Sequence, residues 1–159
     1  MTARPKIALP VATEEGPLPD FLYHGTSTRY LKQILRKGLA PCHMTGAVLM
    51  CCYADDPTLA WHHAECMAEW EDAAPVLFRI PIARFDTGRF TLDDKFVQLG
   101  PSGGRGVALH RAVGDEAWQN VPWTWRAMLH VAGAVGYVDT VPVSRDDLLA
   151  SGDRPEAVP

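Results

Sequence analysis

No apolar run in this 159-residue chain approaches the roughly 20 residues that a membrane span needs. The first twenty residues, MTARPKIALPVATEEGPLPD, hold only a short apolar stretch interrupted by Pro10, so a secretory signal is not expected. Positive charge is not in excess. A net charge of −4 and a pI near 5.8 argue against a broad nucleic-acid-binding surface and leave room only for a local basic patch. There is no Cys-x-x-Cys pair among Cys42, Cys51, Cys52 and Cys66, and no internal repeat. What is present is ordinary: 47% hydrophobic and 21% charged residues, enough chain to bury a core without disulfides. Reduced thiols in a cytoplasmic protein are the simplest reading of the cysteines.

Residues 1–20, rich in Pro and in small or acidic residues, read as a flexible arm. Residues 21–25 then read as a short strand, followed by a helix that Thr26, Ser27 or Thr28 can cap. Tyr30, Leu31, Ile34 and Leu35 give that helix an apolar face, Arg29, Lys32, Arg36 and Lys37 a basic flank, and Gly38 a left-handed end. "AVLMCCYA" (47–54) reads as a buried strand. Asp56 and Pro57 open a second helix, with Leu59, Ala60, His63, Ala64 and Met67 on its inner face. "PVLFRIPIARF" (75–85) is another strand. "GPSGGRG" (100–106) is a glycine loop with no Lys-Ser/Thr after it and no strong helix start, a poor phosphate cradle. Pro122 opens a helix that Gly133 closes, residues 134–143 form a last strand, "SRDDLL" is a short capped turn, and residues 150–159 read as a flexible tail. The alternation is that of a mixed α and β protein, without the long strands of a doubly wound sheet.

Three constellations offer chemistry. Cys42, His43, Cys51, Cys52, His62, His63 and Cys66 crowd one stretch, and His62 and His63 share helix faces with Cys66. Cys51 and Cys52, however, point to opposite faces of their strand. Core cysteines and surface histidines are the preferred reading, and no metal ligand is assigned. A Cys-His nucleophile has no local feature that would lower a thiol pKa.

The third constellation is "YHGTS…IL..GL", the strand ending in Tyr53, and then "DDPTLAWHHA". Together with "PVLFRIPIARFD" and "GYVDTVPVSRDDL" it resembles the ADP-ribosyltransferase superfamily over roughly residues 21–149. The likeness is to the branch of poly-ADP-ribose polymerases, DNA-modifying toxins and tRNA 2′-phosphotransferases. The resemblance implies an α+β fold, a split antiparallel β-sandwich of two short sheets with peripheral helices and an NAD cleft between them. It implies NAD as co-substrate and ADP-ribose transfer to a macromolecular acceptor, protein or nucleic acid, with nicotinamide released. In that scheme His24 bonds a ribose, and Gly25 offers backbone groups to the nicotinamide amide. Thr26 supports the ribose or the strand end, and Tyr53 stacks on the nicotinamide. A chain of this kind suits an intracellular toxin.

One part of the family pattern is absent. Where many members carry a glutamate, this chain has Ala134, Val135 and Gly136. Glu116 is nominated with His24 and Tyr53 for catalysis, with Asp115, Asp139, Asp146 and Asp147 as alternatives. An RNA 2′-phosphotransferase is a further alternative, although Leu22 and Tyr23 stand where those enzymes place an arginine, and the positions of Arg79, Arg84, Arg105 and Arg111 are open. So is a non-catalytic module that binds NAD, ADP-ribose or a partner.

Overall fold

The structure, a computed structural model, describes residues 16–41, 43–45 and 48–152. Seven strands and six helices appear among them. The strands are β1 (Phe21–Ser27), β2 (His43–Thr45), β3 (Val48–Ala54), β4 (Pro75–Pro81), β5 (Phe90–Thr91), β6 (Ala134–Tyr137) and β7 (Leu148–Ser151). The helices are α1 (Thr28–Lys37), α2 (Pro57–Glu71), α3 (Asp94–Leu99), α4 (Gly106–Val113), α5 (Asp115–Gln119) and α6 (Trp125–Ala132). The strands run β5-β6-β3-β1-β4-β7, with β2 paired to β3, and every pairing is antiparallel.

The α+β class and antiparallel pairing are as expected. The two halves expected as separate sheets are joined, but only just. β1 pairs with β4 along its whole length, Phe21↔Pro81 to Ser27↔Pro75, whereas it meets β3 at Tyr23↔Ala54 alone. Beyond Tyr23 the two central strands part, and His24, Gly25 and Thr26 lie in the parting segment.

Alternation along β1 sets what each residue faces. Leu22 joins a core built from Tyr53, Phe78, Phe85, Phe90, Val135 and Tyr137. Tyr23 joins a second cluster with Ala60, Trp61 and Ala64 of α2. Both faces of β4 are therefore covered, and Val76, Leu77, Phe78 and Ile80 are each 0% exposed. A third cluster, around Trp118, Trp123 and Met128, is formed by the helices.

Several local expectations are corrected. Ser27 precedes α1 but makes no capping bond, because its hydroxyl donates instead to Glu71 Oε2 at 2.8 Å. On α2 the buried residues are Ala60, Trp61, Ala64 and Ala68, while His63 is exposed. A helix does start at Gly106, directly after the glycine loop. The strand expected over 134–143 is paired only through Tyr137, with an isolated bridge at Leu39↔Val141. Residues 150 and 151, read as tail, pair with β4. Leu18 packs on the aromatic core and the Asp20 carbonyl accepts from Ile82 N, so the expected arm is anchored before residue 20. Cys42, residues 1–15 and residues 153–159 lie outside the described residues. The caps at Asp56, Gly133 (φ 79°) and Ser144 form as read, whereas Gly38 ends α1 at a positive φ of 86° with an extended ψ of 176°, not in the left-handed helical region.

Gly25 is required by packing. A Cβ there would collide with the Ala60 carbonyl oxygen and lie 2.8 Å from its carbon and 3.0 Å from Ala64 Cβ. Helix α2 thus rests directly on the strand backbone. Gly25→Ala must push α2 off β1, and we expect it to destabilise the fold by about 1–3 kcal/mol in urea denaturation.

Candidate functional site

His24 lies on the β1 face opposite α2, half-buried against β3. Its Nδ1 is 2.8 Å from the Cys52 carbonyl oxygen and 3.6 Å from Cys51 Sγ. A carbonyl only accepts, so Nδ1 carries the proton and a neutral ring leaves Nε2 as an acceptor. Burial pushes the imidazole below its ordinary value, and the bond to the Cys52 carbonyl only partly opposes this. The ring is thereby held neutral, with an accepting nitrogen, at the point where β1 leaves β3.

Tyr53 is brought to His24, their ring centroids 5.5 Å apart and tilted by 54°. The Tyr53 ring is 2% exposed and meets Phe85 and Tyr137 edge-on at 5.0 and 6.3 Å. Its hydroxyl is buried, with no nitrogen or oxygen acceptor in reach and only the Cys51 thiol to interact with. Burial, first of several causes, pushes the phenol well above its ordinary range, so it stays a donor. The polar group at Tyr53 that still lacks an oxygen or nitrogen acceptor is therefore the hydroxyl, while its ring is enclosed by other aromatics. Cys51, beside it, is raised to about 12 by burial and is no nucleophile. Thr26 is buried two residues along β1 from His24.

The acids do not join this pair. Glu116 is exposed on α5, which packs with α3 and α4. Asp115 lies 2.8 Å from His110 Nε2, and Asp139 turns back to accept from Thr140 N. Asp146 is exposed, and Asp147 is buried, bonded to Arg84 and to Ser144 N. On β6, Ala134, Val135 and Gly136 are all buried. A Cβ at Gly136 would sit 3.0 Å from Thr91 Cγ2, which leaves no room for a carboxylate.

Sequence reasoning missed two polar contacts. Asp93, 7% exposed, accepts from Lys95 N at the start of α3 and from the Cys52 thiol at 3.5 Å. Its place as an aspartate directly before a short helix was a usable signal. Arg105 of the glycine loop forms a two-pronged ion pair with Asp55 at 2.8 and 2.7 Å and also donates to the carbonyls of Leu129 and His130. That loop is a clamp on the end of α6, and its Gly106 leaves room for Ala132, which an added Cβ would meet at 2.9 Å. Of the other arginines, Arg79 lies over the Phe21 ring, Arg84 is held by Asp147, and Arg111 is exposed.

A cavity of about 380 Å³ opens on the α2 side, lined by Asp56, Leu59, Trp61, His62 and Glu65 among others. It lies on the other side of β1 from the His24 ring. Among the described residues no group of three His, Cys, Asp or Glu side chains is placed to hold a metal ion.

The lowered value of His24 has a consequence for stability. Above about pH 6.5 both folded and unfolded states keep the ring neutral, and its contribution is complete. As pH falls below that value the unfolded chain takes up a proton that the folded ring resists, so stability is lost. Comparing urea midpoints of the wild type and His24→Gln across this range should show a smaller acid loss in the variant.

No protein-family model matches the chain, and no solved structure matches it. A protein of Bacillus thuringiensis subsp. konkukian (strain 97-27), described as a probable RNA 2′-phosphotransferase, is 51% identical to it over 35 residues. Those residues are 22% of this chain, and the match spans 19% of the relative.

Proposed function

We propose that this chain transfers ADP-ribose from NAD to a macromolecular acceptor and releases nicotinamide. The observation that carries the reading is His24: a neutral imidazole, fixed through Nδ1, with Nε2 left to accept where the two central strands diverge. A ribose hydroxyl of NAD is a suitable donor to that nitrogen. The Tyr53 hydroxyl, a buried donor with only the Cys51 thiol near it, suits a carbonyl or ribose oxygen of the same molecule when the rings around it part. We assign Tyr53 its part through this hydroxyl rather than through stacking.

In such a transfer the bond from the ribose anomeric carbon to the nicotinamide nitrogen breaks. Nicotinamide leaves with the electron pair, and an acceptor oxygen attacks the sugar cation that remains. Groups that hold the ribose and disperse its charge stabilise the transition state more than the bound substrate. Glu116, exposed on a peripheral helix, is given no step.

RNA carrying a 2′-phosphate is the acceptor favoured by the 35-residue likeness to a probable RNA 2′-phosphotransferase. A phosphate oxygen attacking the sugar is the same first step with a particular nucleophile. Arg79 of β4 pairs opposite Tyr23, on the face of the sheet away from the His24 ring, so no arginine is assigned to the phosphate.

The test is release of nicotinamide from NAD by the purified protein, with and without a 2′-phosphorylated oligoribonucleotide. We expect release, stimulated by that RNA. His24→Gln, which can still donate to the Cys52 carbonyl, should lower release by about 100-fold, the usual scale for losing one transition-state contact. Glu116→Gln should leave it within about twofold, as a surface change that touches nothing. Binding of NAD with no release under either condition would leave a non-catalytic module.

A further inference from the structure

The chain is acidic overall, yet α1 carries Arg29, Lys32, Arg36 and Lys37 and no acid. Removing those four from the fifteen basic residues leaves eleven against nineteen acids, so positive charge is concentrated on this helix. All four side chains are exposed, and none enters an ion pair among the described residues. At 3.6 residues per turn, positions 29, 32 and 36 fall within about 60° of one another, with 37 to one side. Leu31, Ile34 and Leu35 occupy the opposite side, against the aromatic core. Like charges at these spacings repel and weaken a helix. Arg36 and Lys37, in the last turn, are favoured by the helix C-terminus, but none of the four is neutralised by an ion pair among the described residues.

A second feature adjoins the first. Trp70, near the end of α2, is 92% exposed, and Tyr30 of α1 is 37% exposed. The Tyr30 hydroxyl donates to Glu71 Oε1 at 2.7 Å, which ties the start of α1 to the residue beside Trp70. Glu71 also accepts from Ser27, so its charge is engaged. A large exposed aromatic on a helix tied to one that bears a row of cations is the combination that binds single-stranded nucleic acid, bases on the ring and phosphates along the charges.

We propose that α1 and the end of α2 form a docking surface for single-stranded RNA. The cations of α1 follow the phosphate backbone, and Trp70 takes an unpaired base. The exposed acids Glu69 and Asp72 flank Trp70 and repel phosphate there, which sets this division of roles. The surface begins at Thr28, directly after the strand that bears His24. The proposal deepens the RNA-acceptor reading above and rests on it.

The experiment is anisotropy of a labelled oligouridylate titrated with the full chain over a salt series. Wild type should bind with affinity that falls with salt, at a log–log slope of about −0.7 for each phosphate neutralised. The triple variant Arg29→Gln, Lys32→Gln, Arg36→Gln should flatten that slope by about two. Trp70→Ala should weaken binding by about 5- to 100-fold with the slope unchanged. No binding by wild type, or binding that both variants leave unaltered, overturns the surface. So does binding to phosphatidylserine vesicles in place of RNA. Nicotinamide release is followed in parallel: release without RNA binding overturns the docking surface alone. RNA binding that shows these variant effects, without release, supports the surface and overturns the NAD reading alone.

Discussion

Helix α2 rests on β1 through Gly25 with no side chain between them, and most of the molecule is arranged around that contact. It fixes Ala60 and Ala64 over the strand, which in turn buries Tyr23 and Leu77 on the same face. With that face closed by a helix, the alternate residues of β1 must turn the other way. Leu22 and His24 therefore enter the aromatic side, where Tyr53, Phe85 and Tyr137 close around them. A methyl group at one position would disturb both layers.

Much of this was legible in the sequence because the elements concerned are long and periodic. The β1–α1 unit, β3, α2 with its Asp56-Pro57 start, β4 and α6 all carry their own signals, whether an apolar run, a cap or a terminal glycine. β5, β7 and helices α3 to α5 do not. A two-residue strand such as Phe90–Thr91 exists only because β6 is there to pair with it. Residues 150 and 151 become strand through β4, a partner some seventy residues away in the chain, and no local pattern announces that. Ser27 departs from its local signal for a related reason: its hydroxyl has a choice between the helix end beside it and Glu71 across the fold, and tertiary contact decides.

The candidate site was legible in a more uneven way. That His24 and Tyr53 belong together was readable from two motifs in order, and the structure sets their rings in contact. Gly25 reads in the sequence as a residue that permits close approach of a nicotinamide, and what packs against it in the structure is a helix. Sequence spacing identifies a glycine's permissiveness but not its neighbour. The acids were the least legible part, since each candidate lay at a short turn, a short helix or a strand end whose placement depends on packing. Glu116, Asp115 and Asp139 are all held at the periphery by short turns and local bonds.

The buried Tyr53 hydroxyl has one more consequence. Phenylalanine would fill the same space among Phe85 and Tyr137 without leaving a donor unsatisfied, and an unmet buried polar group costs about 1–3 kcal/mol. The fold therefore carries a small, localised deficit at one oxygen. That oxygen has no exposed surface, so an acceptor can reach it only when the surrounding rings part, and binding there is thermodynamically linked to local opening.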